Sequence, residues 1–145
     1  GPEGLEAYNE LIEETENEAL KKRYKKFLPM IELAKTCSDK GEPKAQATCY
    51  GDKLSHKDNL IRRKAVSELS KLPPDVAAPV IRENLSTSFL DTRKFLTFAA
   101  YHAPSKEMIG TINEILEKEE GRSGSGYKQD HHRLKLLRAW LKNNT

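Results

Sequence analysis

The chain has 145 residues, of which 37% are hydrophobic and 32% charged, and its formal net charge is +3. That describes a polar chain with a lean core, of a length that suits one domain. Its apolar runs are too short for a transmembrane helix, its two cysteines cannot build a disulfide framework, and a charge of this size names no partner.

Gly1-Pro2 has the form of a tag-cleavage scar, so the expected domain spans 3–145. It divides into N-terminal helices over 3–54, two helical-hairpin repeats over 55–120, a Gly/Ser linker over 121–127 and a C-terminal helix over 128–145. Leu5, Tyr8, Leu11, Ile12, Leu20, Tyr24 and Leu28 recur at helical spacing and predict one long helix. Pro29 is expected to end it, with a short helix from Met30 to Cys37 beyond. Asp39 to Pro43 reads as a turn. Lys44 to Leu54 suits a short helix ending at Gly51.

Asn59 to Leu72 carries Ile61, Ala65, Leu69 and Leu72 on one stripe, behind Asp58 as N-cap. Pro73-Pro74 stops it. Ala78 to Leu85 follows, with Pro79 expected in its first turn. Ser88-Phe89-Leu90-Asp91 resembles a capping box and opens a helix that ends before Pro104. Ser105 is expected to cap a helix through Met108, Ile112, Ile115 and Leu116, stopped by Gly121. The last helix is expected from Gln129 to Leu141, with Leu134, Leu137, Trp140 and Leu141 inward. No stretch alternates with period two, so no strand is predicted.

A shift of 31 residues superposes two blocks, read from the numbering as Arg62 on Arg93, Ala65 on Leu96, Leu69 on Ala100 and Pro73 on Pro104. Ile81 then falls on Ile112, and Leu85 on Leu116. Each block is helix, proline-marked turn, helix, and such a unit buries its apolar face only against neighbours. The last helix reads as the first half of a third unit, with Arg133, Leu136 or Leu137, and Trp140 in matching roles.

The pattern resembles the HEAT/armadillo-type α-solenoid family. The resemblance rests on Asp58…Arg62…Ala65…Leu69 before Pro73 and on Asp91…Arg93…Leu96…Ala100 before Pro104. It implies an all-α fold of stacked antiparallel helical hairpins, here about seven helices. It also implies ladder-like contacts between an Asp and an Arg near the start of alternate helices, and a face that binds peptides or, in some members, nucleic acid. The Asp-to-Arg spacing differs between the two blocks, and the repeat is short for that family.

No catalytic constellation appears, so no enzyme is expected. Cys37, Cys49 and His56 lack the short paired spacing of zinc sites, and adjacent His131 and His132 point about 100° apart on a helix. No metal or cofactor is therefore expected. A Cys37–Cys49 disulfide is not expected in a reducing cytosol, which leaves Cys37 as a small buried hydrophobe.

Charge distribution is the functional lead. Residues 3–18 hold seven Glu and no Lys or Arg, which leaves the remainder at +10 (25 basic against 22 − 7 = 15 acidic). Arg62, Arg63 and Lys64, then Arg93 and Lys94, then Arg133 and Lys135 hold equivalent places in successive units. The expectation is a basic ridge, with Trp140 as a further contact, that binds an acidic or amphipathic segment of a partner protein. The module would then be an intracellular scaffold or adaptor in cytoplasm or nucleus. Nucleic acid is the alternative ligand of the same ridge. The same side chains also suit a solvated face with ion pairs between units. Exposed apolar ends make self-association an expectation as well.

Overall fold

The computed structural model describes residues 4–145, so the tag-scar reading of Gly1-Pro2 lies outside the described residues. Eight helices and no strand occur among them: α1 (Gly4–Glu14), α2 (Glu18–Ser38), α3 (Pro43–Lys53), α4 (Asn59–Leu69), α5 (Pro74–Asn84), α6 (Leu90–Ala100), α7 (Met108–Lys118) and α8 (Ser125–Asn144). The fold is all-α, as expected, with one helix more than the periodicity suggested. Among the described residues no helix is long and apolar enough to cross a membrane.

Consecutive helices pack as α3/α4, α5/α6 and α7/α8, whereas the hairpins expected over 55–120 would have paired α4 with α5 and α6 with α7. In one layer α2, α4, α6 and α8 each pack on the next. In the other, α3 packs on α5, and a surface groove separates α5 from α7. The pairs α3/α4, α5/α6 and α7/α8 bridge the layers, and α1 packs on α2. The 31-residue register explains the stacking. Ile61, Arg62, Ala65, Val66 and Leu69 of α4 are all buried, as are Thr92, Arg93, Leu96, Thr97 and Ala100 of α6. In the facing helices Ile81 and Ile112 lie fully buried.

Several boundaries differ from expectation. The long first helix breaks at Thr15-Glu16-Asn17, where the Asn17 side chain accepts from the Leu20 N–H at 3.0 Å and starts α2. α1 then folds back, and the Tyr8 hydroxyl donates to the Tyr24 carbonyl at 2.7 Å. Pro29 does not end a helix but lies exposed within α2. The second half of α2 is held in line by burial of Leu33, Ala34 and Cys37. Gly51 is no terminator either. A Cβ there would lie 2.8 Å from Val80 Cγ1, so glycine is what lets α3 approach α5.

Pro74, not Pro79, takes the first turn of α5, and Pro79 sits in the helix interior. The capping box does not form: the N-cap residue of α6 is Phe89, one later than Ser88, and its ring has no atom that could cap, while the Asp91 carboxylate accepts from Arg62. Ser105 bonds the Glu107 side chain and does not cap α7. The expected linker shortens, since α8 already starts at Ser125. Leu134, Leu137 and Leu141 of α8 are buried, whereas Trp140 is half-buried with its ring 5.1 Å from that of Tyr101.

Cys37 and Cys49 form a disulfide, with a Cα–Cα distance of 5.4 Å. This corrects the reading of Cys37 as a free buried hydrophobe. The turn at 39–42 brings the end of α2 against α3, and the two sulfurs face each other across it.

Candidate functional site

The expected basic ridge separates into two kinds of residue. Arg62 and Arg93 lie on the apolar stripes of α4 and α6 and point inward, at 4% and 0% exposure. They are therefore not ligand contacts, which corrects their assignment to a partner-binding face. A buried guanidinium must have each donor satisfied, and both are.

Arg62 donates from Nε to Thr92 Oγ1 at 2.7 Å and from Nη2 to both oxygens of Asp91, at 3.0 and 3.2 Å. Its Nη1 donates to the His56 and Lys57 carbonyls in the loop before α4. The guanidinium carbon stands 3.7 Å from the centre of the Phe89 ring. One side chain thus ties its own loop to the next helix of the layer.

Arg93 repeats the device one unit later. Nε donates to Asp130 Oδ2 at 2.9 Å, and Nη2 donates to the same carboxylate. Nη1 and Nη2 clamp Glu119, at 3.0 and 2.6 Å. Nη1 also reaches the Leu85 and Thr87 carbonyls of the preceding loop. His131 Nε2 lies 2.8 Å from Glu119 Oε1 and closes the cluster. Burial alone would lower the Arg93 pKa, but the bonds to Glu119 and Asp130 outweigh it and raise the value. Burial likewise opposes the charge of Glu119, and the bonds from Arg93 and His131 overcome it, so its pKa is lowered.

Glu119, Asp130 and His131 bring potential metal-ligand atoms within 4.8 Å of one another. The Arg93 guanidinium already supplies the positive charge between the two carboxylates, so this cluster is an ion-pair node with its cation built in. Sequence reasoning missed Glu119 and Asp130 as partners of Arg93. The available signal was Arg93 itself, three and seven residues before Leu96 and Ala100 on a buried stripe.

The other ridge residues are at the surface or paired. Lys64 is half-buried and bonds Glu68 at 3.0 Å, which Lys71 also reaches at 2.9 Å. Arg63 is exposed and lies over the Phe95 ring at 5.2 Å. Lys94 and Lys135 are exposed. A surface groove of about 350 Å³ runs between α4 and α6, lined by Arg63, Val66, Ser67 and Ser70 on one side and Phe95, Phe98, Ala99 and His102 on the other. Phe98 is 48% exposed there, one helical turn after Lys94.

A second cavity, of about 1160 Å³, opens at the start of α8. Arg122, Lys128, His131, His132, Arg133 and Lys135 line it, and among the described residues no carboxylate does. Arg133 was expected to match Arg62 and Arg93, but Leu134 is the residue that stands three and seven places before the buried Leu137 and Leu141; Arg133 Nη2 lies 3.9 Å from Asp130 Oδ1, and that oxygen and the Arg133 Nε are both buried without a hydrogen-bond partner.

Comparison with known proteins brings no match: no family model, no characterised sequence and no solved structure aligns with this chain.

Proposed function

We propose that this chain is a non-catalytic binding module that holds an acidic, amphipathic segment of a partner protein in the groove between α4 and α6. The observation that carries this reading is the groove's composition. Phe95, Phe98 and Val66 offer apolar surface, while Arg63 and His102 give a basic rim. A large aromatic side chain left half-exposed beside cations suits a helix with apolar anchors and carboxylate flanks. Lys94 extends the rim along α6.

The Arg62–Asp91 and Arg93–Asp130 bonds support the HEAT/armadillo-type reading, because each links an Arg to an Asp of the next helix in the layer. Such modules act as scaffolds and adaptors. The nucleic-acid alternative is weakened by the same bonds, since Arg62 and Arg93 have no donor left for phosphate. The Cys37–Cys49 bond bears on location. In an oxidising compartment it persists, whereas cytoplasm or nucleus would hold the pair as thiols.

The test is a fluorescence-anisotropy titration with a labelled helical peptide of alternating apolar and acidic turns. Phe98→Ser and Arg63→Glu should each weaken binding by about tenfold. Unchanged affinity in both variants overturns the groove. Oligonucleotide binding that falls steeply with salt and ignores Phe98→Ser would instead favour the nucleic-acid reading.

A further inference from the structure

Charge separates along the stack of helices. α1 contains Glu6, Glu10, Glu13 and Glu14 with no Lys or Arg, and all four are exposed. Residues 121–145 contain Arg122, Lys128, Arg133, Lys135, Arg138 and Lys142 against the single acid Asp130, whose side chain is buried. Each end also presents an apolar side chain within its charges. Leu11 is 42% exposed between Glu10 and Glu14, and Leu136 is 52% exposed one turn beyond His132 and Arg133.

The ladder adds direction. Arg62 receives a carboxylate from α6, and Arg93 receives one from α8. Among the described residues Arg133 has only an ion pair of 3.9 Å with Asp130 Oδ1 of its own helix, and that oxygen and the Arg133 Nε are both buried without a hydrogen-bond partner. A cavity that no carboxylate of the described residues lines opens beside it. What fits is a further helix bearing acids around an apolar residue, and α1 has that pattern at Glu10, Leu11 and Glu14.

We infer that copies of this chain associate head to tail, with α1 of one copy seated on the α8 cavity of the next. The glutamates of α1 meet Lys128, His132, Arg133 and Lys135, and Leu11 packs near Leu136. Two different surfaces are joined, so the contact is heterologous and growth continues copy by copy unless the rotation closes a ring. The inference is independent of the α4/α6 groove, which takes no part in it.

The test is sedimentation velocity over a concentration series at low ionic strength. The sedimentation coefficient should rise with concentration, and raising salt to about 0.5 M should reverse the rise, because the joining charges are exposed. Two variants then separate the ends. One carries Glu10→Lys, Glu13→Lys and Glu14→Lys; the other carries Lys128→Glu, His132→Glu and Lys135→Glu. Each alone should associate at least about tenfold more weakly, and an equimolar mixture should recover association because opposite charges face each other again. Circular dichroism confirms that the variants fold. If a reversal unfolds the chain, Gln at the same positions should weaken association in the same direction. A monomer at every concentration, association indifferent to the α1 changes, or a mixture that stays monomeric each overturns the inference. Association lost with the α8 changes alone would assign the cavity to an acid other than α1.

Discussion

Arg62 and Arg93 hold the same register position, yet their surroundings differ. Asp91, the partner of Arg62, has a side chain 48% exposed, whereas the Asp130 and Glu119 side chains around Arg93 are 0% and 10% exposed. The first rung is a tie at the edge of the layer, and the second is part of the core. The difference comes from the longer interval between α6 and α8. The turn after α7 places Glu119 at the guanidinium, and α8 enters with Asp130 one turn inside its start. One arginine in one register can therefore serve as a surface clamp or as a buried charge centre, depending on how many carboxylates the following unit delivers. Removing either arginine measures this contrast.

The largest effect is expected at the buried rung. Arg93→Ala leaves Glu119 and Asp130 facing each other without a counter-charge and should cost about 3–5 kcal/mol in urea unfolding. A loss under 1 kcal/mol, by the same order-of-magnitude scale, would mean that water enters the cluster and that the two rungs are alike. Next comes the covalent tie at the other end of the stack, where no arginine rung precedes α4. Cys37→Ser with Cys49→Ser, or reduction of the wild type, should cost about 2–4 kcal/mol, because the bond closes a short loop between α2 and α3. Identical unfolding curves with and without reductant would show that burial alone holds α2 on α3. The outer rung is expected to be worth less. Arg62→Ala should cost about 1–3 kcal/mol, mostly from the unsatisfied Thr92 hydroxyl and loop carbonyls, since Asp91 can turn to water.

Much of the layered core was legible in the sequence. The stripes through Ala65 and Leu69 and through Leu96 and Ala100 predict which faces of α4 and α6 are inside, and all five buried positions of α4 recur in α6, which adds Ala99. Reading Arg62 and Arg93 as surface cations failed for a physical reason. Arginine is mostly exposed, and the partners that permit its burial lie 29 and 37 residues away in the chain, beyond any local pattern. The break after α1 was hidden for another reason. Tyr8, Ile12, Leu20 and Tyr24 keep a spacing in multiples of four straight through Asn17, so the period does not slip where the chain turns. Pro29 misled in the opposite sense, since its local cost of about 3 kcal/mol is met by tertiary packing that propensity does not register. Of the two surface sites, only Arg63, Lys94, Lys135 and their neighbours on the ridge were visible. The groove needs Phe98 beside Arg63 across two helices, which the register alone does not supply.

The smallest effect concerns acid. Glu119 has a pKa below its ordinary value of 4.5, because the bonds from Arg93 and His131 outweigh burial. A group whose folded pKa is lowered contributes stability above its unfolded pKa and loses it as pH falls through the folded value. In the unfolded chain Glu119 takes up its proton near 4.5, while in the folded chain it remains ionised to lower pH. Its contribution is therefore full at neutral pH and begins to fall near 4.5. Glu119→Gln removes the titrating carboxylate while keeping the shape and one acceptor. The stability difference between wild type and this variant should be constant from pH 7 to about 5.5 and narrow below about 4.5. A stability difference that does not narrow in acid would mean that Arg93 and His131 do not hold the Glu119 carboxylate ionised. A narrowing gap would establish the buried charge centre around Arg93 without removing the arginine.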